Sequence, residues 1–133
     1  MGYPYWSIAA FLKHKVKNAV KYIANFERAL AVEAEVLLAD EPVAAVDPLH
    51  QLRIMELLRK VAAAGKCVVV VLHDLALATR LCSRLVVLAQ GRKLLDGPPE
   101  ALTDAVIREA YGVSTLRGEH LGQKFVMPWA PVE

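Results

Sequence analysis

Cysteine is scarce in this sequence: only Cys67 and Cys82 are present, and neither sits in a CxxC pair or beside histidine at metal-ligand spacing. A disulfide framework and a cysteine-held zinc site are thereby excluded, and both residues read as small buried groups in a reducing compartment. Long hydrophobic runs are missing as well. Val68–Leu72 and Leu85–Ala89 are strand-sized, far short of the ~20 residues that a membrane-spanning helix needs. The start, Met1-Gly2-Tyr3-Pro4-Tyr5-Trp6, lacks the positive n-region of a secretory signal, so a cytoplasmic location is expected, soluble or peripheral at a membrane. Charged residues make up 23% of the chain against 56% hydrophobic, a balance that excludes disorder except at the two ends.

What is present fits about one domain of 133 residues. The net charge of +2 is unevenly spread, because Lys13, Lys15, Lys17, Lys21 and Arg28 oppose only Glu27 in the first 28 residues. Such a segment reads as a solvated helix face, with a membrane-surface helix as the alternative and no nucleic-acid partner expected. From Ser7 to about Ala31, Ile8, Phe11/Leu12, Val16, Ala19/Val20, Ile23, Phe26 and Leu30 recur at helical spacing. The spacing predicts one or two amphipathic helices, with Lys13, Lys17 and Lys21 along another side.

Further on, Val36-Leu37-Leu38-Ala39 is a continuous apolar run closed by Asp40-Glu41-Pro42, which reads as a buried parallel strand. Asp47 as N-cap and Pro48 at the first helical position open a helix with Leu52, Met55, Leu58 and Val61/Ala62 as its inward stripe, closed by Gly65. The β-branched run Cys67–Leu72 predicts a second buried strand, Asp74 caps a second helix, and Leu85–Ala89 is a third strand. A tight turn at Gln90-Gly91-Arg92 leads to a short strand over Lys93–Asp96, then a helix of roughly 100–111 that stops at Gly112. Val113–Glu133 reads as a hairpin-like tail. The division expected is a helical segment over 1–27, an α/β core over 28–112 and the tail over 113–133.

Alternating strands and helices predict an open α/β sheet, whose ligands bind outside the C-terminal strand ends. Asp40, Glu41, His73 and Asp74 fall there. Adjacent carboxylates allow one to hold Mg²⁺, directly or through water, while the other orients or deprotonates an attacking water. His73 closes the following strand and adds an imidazole able to donate to a phosphate oxygen at the same edge.

Val36–Pro42 resembles the Walker B strand of ATP-binding cassette (ABC) ATPases, Ala44–Pro48 the D-loop, and Val70–Leu75 the switch-histidine segment. Leu85–Arg92 and Asp96–Glu100 are similar to the family's last core strands and following helix, so the likeness covers roughly residues 28–112. The tail resembles importer ATPases for iron-siderophore, haem or cobalamin uptake. The resemblance implies the C-terminal half of a P-loop-type domain: a truncated, mostly parallel sheet flanked by helices. It further implies ATP and Mg²⁺ as ligands, a membrane permease as partner, Asp40 as the metal carboxylate, Glu41 as general base, His73 as γ-phosphate sensor and Asp47 as a contact across a dimer interface.

The departures are equally definite. No GxxxxGK[ST] occurs: the Gly65-Lys66 pair has Lys60 where a glycine is required, and it precedes a strand rather than following one. Neither a glycine-rich signature before Arg28-Ala29-Leu30 nor a Q-loop is found, and Val43 replaces the family's usual hydroxyl residue. Without the phosphate-loop amides and lysine, the triphosphate loses most of its anion site, so ATP hydrolysis by this chain alone is not expected. In the family the phosphate-loop strand lies between the strands represented here by Cys67–Leu72 and Leu85–Ala89. Its absence would leave a gap, and each unpaired buried backbone group costs about 1–3 kcal/mol. The expectation is that helices before Phe26 cover apolar surface and that open edges pair in a homo-oligomer or by rearrangement of the sheet.

Overall fold

A computed structural model describes residues 7–12, 20–22 and 35–132. Its main sheet has the order β2-β3-β4-β1-β5-β6, formed by β1 (Ser7–Leu12), β2 (Val20–Tyr22), β3 (Val36–Asp40), β4 (Cys67–Leu72), β5 (Arg84–Ala89) and β6 (Arg92–Gly97). A separate two-stranded sheet pairs β7 (Val113–His120) with β8 (Gln123–Pro131). The helices are α1 (Pro48–Ala63), α2 (Leu75–Leu81) and α3 (Asp104–Tyr111), with a short 3₁₀ turn at Pro99–Ala101.

The start of the chain departs from expectation. Residues 7–12 and 20–22 are strands rather than helix; the remainder of the expected helical segment, 13–19 and 23–31, lies outside the described residues. β1 occupies the position between β4 and β5, pairing antiparallel with both: Ala10 stands opposite Val70 on one side and Leu85 on the other. The gap is thus closed by rearrangement within the chain. Ile8, Phe11 and Leu12 suit a helix by spacing, but two unsatisfied strand edges offer backbone bonds on both sides, and that non-local demand overrides local periodicity. The sheet is mixed rather than mostly parallel, since β2–β3 and β3–β4 are parallel while β1–β4, β1–β5 and β5–β6 are antiparallel.

The three helices share one core. Met55, Leu58, Val61 and Ala62 of α1, Leu75, Leu77 and Ala78 of α2, and Ile107 of α3 cluster with Leu37, Ala39, Val68, Val70, Leu72, Leu85 and Val87 from the sheet. Alternation along β4 explains the choice: Val68, Val70 and Leu72 are fully buried, whereas Val69 and Val71 point to the other face and are half-buried. Each fully buried side chain of this size contributes about 1.5–3 kcal/mol. Leu52 does not join the inward stripe of α1, being 44% exposed; the stripe begins one turn later at Met55.

The expected helix over 100–111 divides in two. Leu102 turns fully into the core, and Thr103 Oγ1 then caps α3 by accepting from the Val106 amide at 3.3 Å. Gly112 ends α3 at φ +66°, a left-handed conformation natural to glycine. In the terminal hairpin, Gly118 lies opposite Phe125, whose ring covers the space a side chain at 118 would fill.

Candidate functional site

β3 and β4 run parallel with Asp40 opposite Val71, so their C-terminal tips share one edge of the sheet. The ladder continues one step beyond β3, where the Glu41 amide donates to the Val71 carbonyl at 3.0 Å. Glu41 itself adopts φ +47°, sparsely populated for a residue with a side chain and a source of local strain. The Ala44 amide donates back to the Glu41 carbonyl at 3.1 Å, closing a turn through Pro42 and Val43. Val43 is buried in the core, and its carbonyl accepts from Gln51 Nε2 at 3.1 Å, which ties the turn to α1.

His73 lies one residue past β4 on the same edge, and its Nε2 hydrogen-bonds Glu41 Oε1. The two side chains remain 41% and 43% exposed, so the pair is accessible from solvent. Asp74, next along, accepts from the Leu77 amide at 2.9 Å and caps α2, which fixes the backbone just after the imidazole. Asp40 is exposed at the last position of β3. A carboxylate oriented by an imidazole can accept a proton from water or hold that water in place.

Asp47 caps α1: its Oδ1 accepts from the His50 amide at 3.2 Å, and its Oδ2 accepts from His50 Nδ1 at 2.5 Å. The His50 amide, and after it the His50 ring, hold the Asp47 carboxyl below the usual carboxylate range. Sequence reasoning did not single out His50 or Gln51. The available signal was their placement three and four residues after an N-cap aspartate, within reach of the preceding turn.

The family's ligands can be tested against these side chains. Mg²⁺ is commonly held by one or two carboxylates plus water and substrate phosphates, and Asp40, exposed at the end of β3, would be one such carboxylate. Among the described residues no group of three His, Cys, Asp or Glu converges as a self-sufficient metal site. A triphosphate needs, in addition, a cradle of backbone amides. β1 enters the sheet at the Glu41–His73 edge with Ser7 and leaves at the opposite edge with Leu12, so this strand ends away from the tips of β3 and β4.

Comparison with known proteins supplies the relatives. The hemin import ATP-binding protein HmuV of Rhodococcus jostii (strain RHA1) is 44% identical over 104 residues, 76% of this chain and 36% of that protein. The phosphonates import ATP-binding protein PhnC of Stutzerimonas stutzeri is 48% identical over 86 residues, 64% of this chain and 31% of the relative. The chain's homologues are ATP-binding proteins of ABC importers. The chain spans about a third of the length of these ABC relatives and corresponds to a C-terminal-like part of them. A solved chain of an inward-facing metal-chelate type ABC transporter superposes with a TM-score of 0.66 at 21% identity, covering 80% of this chain and 44% of that one; the ABC likeness thus extends to the fold. No protein-family model matches. Among the described residues, no helix is long and apolar enough to cross a membrane.

Proposed function

We propose that this chain is the metal- and water-handling part of an ABC-importer-type ATPase site, inactive or nearly so towards ATP by itself. The observation that carries the reading is the Glu41–His73 hydrogen bond at the shared tips of β3 and β4, beside exposed Asp40. Glu41 is the water-orienting base, and His73 both holds that carboxylate and offers its imidazole towards an incoming phosphate. Asp40 is the metal carboxylate; Mg²⁺, when bound with a nucleotide, would neutralise phosphate charge. Asp47 adds a contact across a dimer interface to its capping role. The setting is cytoplasmic, at a permease of an importer. The antiparallel course of β1 supports the second half of the proposal, because a triphosphate needs an amide cradle that this arrangement does not provide.

Complementation tests it. The chain is mixed with the N-terminal portion of the Rhodococcus jostii relative, whose phosphate-loop strand must displace β1. Phosphate release is then expected in the mixture, and Glu41→Gln should lower it by about 10²-fold or more. Vigorous hydrolysis by the chain alone, or a mixture indifferent to Glu41→Gln, contradicts the reading.

A second reading is a non-enzymatic scaffold that self-associates. Exposed Leu49, Leu52 and Trp129, the last 70% accessible, favour it. Sedimentation showing a dimer, together with no hydrolysis in any mixture, would select the scaffold.

A further inference from the structure

The opposite edge of the sheet carries a second feature. α1 and α2 both begin at the Glu41–His73 edge and run back, so their C-terminal turns meet near the starts of β4 and β5. Between these turns lies a cleft of about 300 Å³ whose lining includes Arg59 of α1, Arg80 of α2, and Cys82 and Ser83 after α2. Its two charged residues are both guanidinium groups, and no acid lines it. Among the described residues Arg59 has no hydrogen-bond or ion-pair partner, and Arg80 has a single marginal bond to Gln123 Oε1 at 3.5 Å. The Arg59 charge is felt at the buried Cys82 thiol, opposing the upward push of burial.

Position near helix C-termini accounts for basic residues there, since they offset the helix dipoles. It does not account for two arginines lining one cleft that no acid lines, where a bound anion would offset both charges.

We propose that the Arg59–Arg80 cleft is a phosphate-binding site, separate from the nucleotide half-site, that takes one phosphate or pyrophosphate group from solution or from a lipid headgroup. The chemistry is bidentate recognition of oxyanions by arginine, and the cleft lies at the small end of ligand-site volumes.

The test titrates inorganic pyrophosphate into the full chain without metal or nucleotide, at constant ionic strength, following the Arg59 and Arg80 Nε–H resonances. Saturable shifts are expected, weakened about tenfold by Arg59→Gln or Arg80→Gln. Arg80→Lys should weaken binding less, retaining charge but losing the fork. Glu41→Gln, at the far edge, should leave affinity unchanged, so failure of the ATPase reading would not imitate failure here. A second arm measures co-sedimentation with vesicles of equimolar phosphatidylglycerol and phosphatidylcholine. Vesicle binding that pyrophosphate competes away assigns the phosphate to lipid; pyrophosphate binding without vesicle binding assigns it to a free ligand. Shifts that never saturate, or affinity unchanged in a folded Arg59→Gln/Arg80→Gln double variant, overturn the proposal.

Discussion

Ala10→Pro probes the strand that distinguishes this fold. Ala10 sits mid-strand in β1, opposite Val70 of β4 and Leu85 of β5. In an antiparallel ladder each residue's amide points to one neighbour, and β1 has a partner on both sides, so no interior amide faces water. Proline there removes a donor, leaves a buried carbonyl without its partner at about 1–3 kcal/mol, and places its ring against the adjoining strand. The total comes to about 3 kcal/mol or more, against a stability on the order of 5–15 kcal/mol for a small domain. Thermal unfolding followed by circular dichroism should fall by roughly 10 °C. Had residues 7–12 been a solvated amphipathic helix, proline would act through helix loss alone, and truncating residues 1–12 would leave the cooperative transition in place. A truncated chain that still unfolds cooperatively near the parental midpoint would refute a central β1.

Other expectations are more local. Leu58→Ala, at a position with no exposure between α1 and the sheet, should cost about 2–5 kcal/mol in urea unfolding, while Leu52→Ala should change stability by less than about 0.5 kcal/mol. Gly118→Ala must push the Phe125 ring aside, since the added carbon would clash with its Cζ; Phe125→Leu in the same chain should recover part of the loss of thermal stability. Asp96 accepts bonds from Arg84 at 2.7 and 2.9 Å, and these, followed by Lys93, hold its carboxyl below the usual range. A depressed folded-state value gives stability that is present above the unfolded pKa of about 3.9 and lost as pH falls through the folded value. Asp96→Asn should therefore flatten the acid side of the stability profile below about pH 4, and an unchanged slope would count against the ion pair. Burial pushes the Cys82 thiol up to about 12, so alkylation at neutral pH should be slow until the protein unfolds.

Local chemistry made much of this architecture legible. Asp47-Pro48 announced the start of α1, Gly65 its end, and the β-branched run into His73 announced β4, because caps, breakers and dense apolar runs act within a few residues. The meeting of Glu41 with His73 followed from the same reading: each residue comes directly after one of two consecutive parallel strands, and such strands place their ends together. β1 was illegible for the opposite reason. Ser7–Leu12 has the spacing of a helix, and only the vacancy between β4 and β5, set by residues some sixty to eighty positions away, turns it into a strand. The Arg59–Arg80 cleft was equally hidden, since it depends on where two helix ends converge.

Calorimetric titration of the full chain with Mg-ATP bears most closely on the Glu41–His73 edge, because β1, between β4 and β5, runs away from that edge rather than towards it. No saturable heat attributable to that edge is expected, and no difference between the parent chain and Asp40→Ala. Tight, stoichiometric binding abolished by Asp40→Ala would contradict this expectation.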